Sequence, residues 1–137
     1  PHHSAKYREI LDELCEGELI VTVSPDARCL WVFPRPEWEK VEAKLMSLSS
    51  FNANSQRLKR LLMGYAADVT LDGHSRIPIS PSLRAFAHLE KKVMLIGQGN
   101  KFELWDEAKW HLQCESWLAM DIKEDELPEE IEQDNKQ

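Results

Sequence analysis

Glycine is scarce in this sequence, five residues in 137, and none is spaced as a P-loop, a dinucleotide-binding fingerprint or a nucleophile elbow, which argues against nucleotide chemistry and serine-hydrolase chemistry. The three cysteines, Cys15, Cys29 and Cys114, are odd in number and widely spaced, with no CxxC. They exclude a disulfide framework and read as buried thiols in a reducing compartment. No apolar run approaches the roughly 18 residues that span a bilayer, and no signal-peptide pattern is present. Cationic excess is also missing: Lys and Arg number 17 against 24 Asp and Glu, a net charge of -7. The deficit is concentrated in residues 121–137, which carry eight acids against Lys123 and Lys136, so the body of the chain is close to neutral. An acidic chain argues weakly against nucleic-acid binding. From Leu71 to Lys92, however, only Asp72 and Glu90 oppose Arg76, Arg84, Lys91 and Lys92, and symmetric assembly could multiply such a small basic patch.

What is present is ordinary globular usage, 42% hydrophobic and 30% charged, at a length able to bury roughly two thirds of the unfolded surface in one core. Pro1-His2-His3-Ser4 reads as an expression scar and is left out of the fold reasoning. Ala5 to Leu14 reads as a helix ended by Gly17. Leu19 to Val23 and Cys29 to Phe33 read as a hairpin turned at Ser24-Pro25-Asp26. Pro34 and Pro36 end the second strand, and Glu37 to Leu48 reads as a helix with Trp38, Val41, Leu45 and Leu48 on one stripe. After a polar loop, a helix from Ser55 places Leu58, Leu61, Leu62 and Tyr65 inward and Arg57, Lys59 and Arg60 outward. Val93 to Ile96 and Phe102 to Trp105 form a further hairpin, Asp106 caps a last helix over Glu107 to Met120, and an acidic tail follows. The five Trp residues read as packing groups.

The stretch around which the chain is organised is Leu71-Asp72-Gly73-His74-Ser75-Arg76-Ile77-Pro78-Ile79. Asp-Gly between two apolar runs is a hairpin-turn signal, because Gly accepts positive φ without steric cost. The spacing predicts a turn over Asp72 to Ser75 and a returning strand from Arg76, short or at an edge because Pro78 lacks the ladder donor. Ser80 and Pro81 then suit the N-cap and first turn of a helix whose apolar side is Leu83 and Phe86. An Arg at the mouth of a hairpin, beside His74 and Ser75 and just ahead of a helix, is a place for an anion. The alternative is that Asp72 caps the turn and pairs with Arg76. Asp72, His74 and Ser75 include catalytic-triad residue types, but neighbours this close on a tight turn cannot form the serial relay. His88, His111 and Cys114 lack tidy metal-ligand spacing, although His111 and Cys114 stand one helical turn apart. No catalytic residue, metal, cofactor or small-molecule substrate is expected.

The chain repeats. Ser4-Ala5-Lys6-Tyr7-Arg8 aligns with Ser80-Pro81-Ser82-Leu83-Arg84 at an offset of 76 (80 minus 4), Glu18-Leu19-Ile20-Val21 with Lys92-Val93-Met94-Leu95 at 74 (92 minus 18), and Trp38 with Trp110 at 72 (110 minus 38). The drift is absorbed in turns. The unit of strand, turn, strand, helix, hairpin and helix occurs twice, and its first copy is expected to lack the strand-turn-strand ahead of Ala5.

Leu71-Asp72-Gly73-His74-Ser75-Arg76, with Phe33-Pro34-Arg35-Pro36-Glu37-Trp38 before it and Gly97 through Asn100-Lys101-Phe102-Glu103-Leu104-Trp105-Asp106-Glu107 after it, resembles the MraZ family of AbrB-like, swapped-hairpin bacterial transcription regulators. The likeness spans about residues 5–120. It implies an α+β fold in which two AbrB-like repeats form a pseudo-symmetric β-barrel with flanking helices. The repeats would occupy 5–50, truncated, and 67–120, joined by a connecting helix over 51–66, between the scar at 1–4 and the acidic tail at 121–137. It implies a homo-oligomeric ring, cytoplasmic and nucleoid-associated, that binds repeated sites in double-stranded promoter DNA and represses the division and cell-wall gene cluster. Carried over residue by residue, the Asp and Arg of the family's motif are Asp72 and Arg76, Arg76 being the DNA-contacting arginine. Asp72 and Gly73 structure the turn, His74 and Ser75 are candidate phosphate contacts, and Arg84, with Lys6 and Arg8 on the equivalent first-copy helix, faces either phosphate or solvent. The other reading is an oligomeric protein-interaction module in which the hairpin is merely structural.

Overall fold

The computed structural model describes residues 17–71 and 77–120. The helix expected over 5–14 and the acidic tail lie outside the described residues. The described elements are β1 (Glu18–Val23), β2 (Leu30–Pro34), α1 (Arg35–Met46), α2 (Ala53–Gly64), β3 (Ala67–Thr70), α3 (Pro81–Phe86), β4 (Val93–Gly97), β5 (Phe102–Asp106) and α4 (Glu107–Ala119). The chain divides into two compact units, one ending at Glu107 and one beginning at Ala108. The α+β class expected from sequence holds: five strands form one antiparallel sheet in the order β3-β1-β2-β5-β4.

The sheet's register carries the sequence repeat. Trp31 on β2 lies opposite Glu103 on β5, its own counterpart at the offset of 72 (103 minus 31), and Leu30 lies opposite Leu104, the counterpart of Val32. A local pseudo-twofold axis therefore passes between Trp31 and Glu103. The outer pairs agree. Leu19 faces Pro34 on the first hairpin, and their counterparts Val93 and Asp106 face each other on the second. β3, from the second repeat, adds to β1 of the first, so the second repeat supplies a strand to the first repeat's hairpin.

Strand alternation sends side chains to two faces. On one, Leu19, Val21, Val23, Leu30, Val32, Phe102 and Leu104 meet Leu83, Ala87 and Leu89 from α3 and the turn after it. On the other, Ile20 and Phe33 meet Trp38 and Leu45 of α1 and Leu62 of α2. Thr22, fully buried on this second face, donates its hydroxyl to the Leu62 carbonyl at 2.8 Å, satisfying an acceptor that the end of α2 leaves open.

Four local expectations are corrected. α1 begins at Arg35 rather than Glu37 and ends at Met46, because Pro36 sits in its first turn, where the missing N–H is harmless. α2 begins at Ala53, since Asn52 rather than a later residue is the N-cap, its side chain accepting from Ser55 N at 3.0 Å. Tyr65, expected inward, is exposed at the C-terminal cap of α2, where its ring leans on Phe86 with centroids 6.1 Å apart. Ile77 to Ile79 is irregular rather than a returning strand. Pro78 removes a ladder donor, yet Ile77 and Ile79 still pack against the core.

Candidate nucleic-acid interface

Chain entry into the hairpin is fixed at its root. Leu71 N donates to Gly17 O at 3.0 Å, extending the β3–β1 ladder by one rung, and Gly17 holds φ of +81°, a left-handed conformation suited to glycine. The exit is held by Ile77 and Ile79 in the core. Asp72, Gly73, His74, Ser75 and Arg76, between those anchors, lie outside the described residues, as do Lys6 and Arg8.

Beyond the exit, Ser80 caps α3 as its sequence suggests, its hydroxyl accepting from Leu83 N at 3.4 Å with Pro81 in the first turn. Leu83 and Ala87 are buried, so the helix is pinned on one side. It ends at Phe86 with Ala87 as its cap; His88 beyond it has φ of +52°, the positive-φ case among the described non-glycine residues, and Leu89 N reaches back to Arg84 O at 3.0 Å, the closing bond of a Schellman-type end. Arg84 stands exposed on this helix, and its Nη2 donates to Glu90 O at 3.0 Å. That bond uses one of five guanidinium donors, orienting the side chain and leaving donors for an anion.

One nearby cation was not singled out by sequence reasoning. Arg28, exposed in the β1–β2 turn, lies 4.7 Å from the Phe86 ring centroid, a cation–π contact with α3. In sequence it is a lone turn Arg; only the fold, bringing residues 28 and 86 together, places it beside the helix that carries Arg84.

Arg35, Glu103 and Lys101 are committed elsewhere. Arg35 Nε lies 3.2 Å from Glu18, and the same guanidinium bonds Asp68, so one side chain ties α1 to β1 and β3. Its pKa is raised above the ordinary guanidinium value chiefly by the hydrogen bond to Asp68. A cavity of about 240 Å³ beside it is lined by Glu39, Glu42 and Asp68 as well as Arg35, and its negative balance repels a polyanion. On the pseudo-twofold axis Glu103, only 9% exposed, accepts indole N–H bonds from Trp31 at 3.2 Å and from Trp105 at 2.9 Å. Lys101 Nζ lies 4.5 Å from the Trp31 ring centroid. Nearby Cys29, fully buried, has its thiol pKa pushed up to about 12, mainly by burial and next by the Glu103 charge, which leaves it inert as a nucleophile. Cys114 is only partly buried, against the expectation of a buried thiol, and Cys15 lies outside the described residues. Among the described residues no cluster of three or more His, Cys, Asp and Glu could hold a metal ion, and no helix is long and apolar enough to cross a membrane.

The comparisons with known proteins bear on the whole chain. A family model described as "MraZ protein, putative antitoxin-like" matches twice, over residues 4–61 and 62–127. "Transcriptional regulator MraZ" of Nitrosospira multiformis is 56% identical over 128 residues, 93% of this chain and 84% of that protein. Proteins of the same description from Nitrosomonas eutropha and from Coxiella burnetii strain Dugway are 49% and 45% identical over the same shares. With two tandem matches, a sheet whose register obeys the same duplication, and identity near one half over nearly its full length, this chain belongs to the MraZ family, a non-enzymatic family, and carries two MraZ repeats.

Proposed function

We propose that this chain is a transcriptional repressor that binds repeated sites in double-stranded promoter DNA of the division and cell-wall gene cluster, through hairpin arginines displayed on a homo-oligomeric ring. The observation that carries the reading is the 56% identity to a transcriptional regulator over 93% of the chain. The pairing of β3 from the second repeat with β1 of the first supports the swapped-hairpin barrel that goes with it, and in this reading the protein is cytoplasmic and nucleoid-associated.

In this reading Asp72 and Gly73 shape the turn and Arg76 offers its fork to guanine or phosphate, a contact worth roughly 1–3 kcal/mol when bidentate to a base. His74 and Ser75 contact phosphate beside it. Arg84, already aimed by the Glu90 carbonyl, meets the backbone from α3, with Arg8 as its first-repeat equivalent and Lys6 two residues before it. One such contact on a nearly neutral body is weak. Several copies on a ring engage successive sites on one DNA, and effective concentration then supplies the affinity. The docking is electrostatic where it touches phosphate, so its logarithmic salt slope counts the phosphates neutralised, at about 0.9 per contact.

The test is a fluorescence-anisotropy titration with a promoter fragment across a salt series. Arg76→Ala is expected to weaken binding about tenfold or more while oligomer size by light scattering stays unchanged. Unaltered affinity rejects the assignment of Arg76, and a salt-independent isotherm rejects the DNA-binding reading.

A further inference from the structure

Arg28 sits at the opposite end of β1 from the hairpin. β1 runs from Glu18, next to the Gly17 carbonyl that Leu71 bonds, to Val23. Its residues, at about 3.3 Å each, put the β1–β2 turn roughly 20 Å from the hairpin root. The chain leaving the hairpin returns over that distance through residues 77–80 and α3, and Phe86, the last residue of α3, is the one that Arg28 meets. The exposed side of α3, which carries Arg84, therefore lies between the hairpin exit and Arg28. Hairpin, helix and turn follow one another along a single track.

At the far end of that track the turn offers a guanidinium that is held still and left unpaired. Arg28 lies over the Phe86 ring, 4.7 Å from its centroid. Phe86 is itself fixed, because it packs against the core and the Tyr65 ring leans on it. A guanidinium stacked on a ring face keeps its five N–H donors at its edges, outside the contact. Among the described residues no hydrogen bond or ion pair takes any of them. Asp26, two residues earlier, is turned to Ser24, whose hydroxyl donates to its carboxylate at 2.7 Å. Arg35 is the contrast, since two carboxylates hold it. An arginine already immobilised by packing has less side-chain freedom to lose on meeting an anion than one free in solvent.

From this placement we propose that Arg28 is a contact to the phosphate backbone of the bound DNA, outside the hairpin and pre-oriented by the Phe86 ring. The assignment rests on the DNA-binding reading above and adds to it a residue that the hairpin motif does not include. Phosphate is favoured over a base edge by the geometry. Stacked flat on α3, Arg28 does not project as a hairpin tip does, so it meets the backbone passing over the protein surface, and its planar fork matches two oxygens of one phosphate. Phosphate contacts fix register and orientation and carry no sequence information directly. Arg28 thus sets how the protein lies on the duplex, while Arg76 reads it. The separation of roughly 20 Å corresponds to about six base pairs of duplex at 3.4 Å per pair, so both contacts fit on one promoter fragment.

The test is the anisotropy titration across the salt series, run with the promoter fragment and with a scrambled fragment of the same length on wild type, Arg28→Ala, Phe86→Leu and Lys44→Ala. Lys44 is exposed on α1, which covers the face of the sheet opposite α3, so its removal subtracts the same charge without the contact. Arg28→Ala is expected to weaken both fragments by the same factor, about threefold or more, and to lower the logarithmic salt slope by about 0.9 for each copy engaged. Lys44→Ala should leave the slope unchanged. Phe86→Leu should keep the slope and lose affinity at every salt concentration, because the guanidinium must then be ordered on binding. An unchanged slope in Arg28→Ala, an equal fall in Lys44→Ala, or a loss confined to the promoter fragment overturns the phosphate contact while the DNA-binding reading stands. Wild-type affinity in Phe86→Leu overturns the pre-orientation. A wild type that binds independently of salt overturns the DNA-binding reading, and this contact with it. If Arg28→Ala fails to fold, Arg28→Gln, which keeps an apolar stem over the ring, is read against the same outcomes.

Discussion

The first hairpin and the second share register and a following helix, and they differ in how they use them. β1 is closed on both edges and both faces, with Leu19, Val21, Thr22 and Val23 all at 0% exposure. β4, with the same pattern of Cα partners, is exposed at both ends and half-buried between. Equal propensity thus gives unequal stability, because what holds a strand is the apolar area its neighbours remove from water rather than its own sequence.

The largest break in that comparison is at its most buried point. Leu19→Ala should lower unfolding free energy by about 2–5 kcal/mol through lost burial and a residual cavity. Val93→Ala, the same change at the counterpart, should stay near the surface-substitution scatter of about 0.5 kcal/mol. Chemical denaturation of the pair decides it; matching losses would mean that β4 is as deeply covered as β1.

The pseudo-twofold axis offers a sharper test. Position 31 and position 103 are equivalent, yet one is Trp and the other Glu, and the Glu carboxylate takes both neighbouring indoles on separate oxygens. Glu103→Gln keeps the shape but leaves a single acceptor oxygen. One indole N–H then loses this partner inside a largely buried site, and the expected loss is about 1–3 kcal/mol. Near-UV circular dichroism should show two tryptophan environments becoming unequal. A stability equal to wild type would mean that water serves one indole.

These elements also show what a sequence can disclose. The hairpins were legible because alternation and turn residues are local signals, and the repeat was legible because its drift fell in turns, where insertions cost least. The observed register obeys the offsets of 72 and 74 found by alignment alone. Ser80 and Leu83 were legible for the same local reason. The pairing of Glu103 with two indoles was not, since Trp31 is 72 residues away, and a Glu in an alternating strand reads as solvent-facing until its neighbours are known. Arg35 was likewise opaque: Asp68 reaches it only because β3 crosses between repeats. Tyr65 lay on the inward stripe of its helix, but the helix ended one residue earlier and released it. Of the candidate interface, the motif was plain in sequence. Arg84 received a defined setting from the fold, and Arg28 entered only through it.

The smallest effect expected is a difference of slopes. Cys29 sits at the end of the first hairpin's turn, where the second hairpin has Lys101; one is fully buried and the other is partly exposed. Burial, reinforced by Glu103, raises the Cys29 thiol from an ordinary value of 9.0 to about 12. An acid whose pKa is higher when folded favours the folded state fully below its unfolded value and loses that contribution as pH rises, because the unfolded chain releases the proton first. Between about pH 9 and 12 the wild type should therefore lose stability faster than Cys29→Ala, by at most about 1.4 kcal/mol per pH unit. Lys and Tyr titrate in the same range in both proteins and cancel in the difference. Removing the Glu103 charge with Glu103→Gln should bring the folded thiol down and narrow that window from its alkaline side. Parallel urea midpoints for wild type and Cys29→Ala from pH 8 to 10.5 would instead mean that the thiol ionises as readily inside the fold as outside it, and that the first hairpin's turn admits water after all.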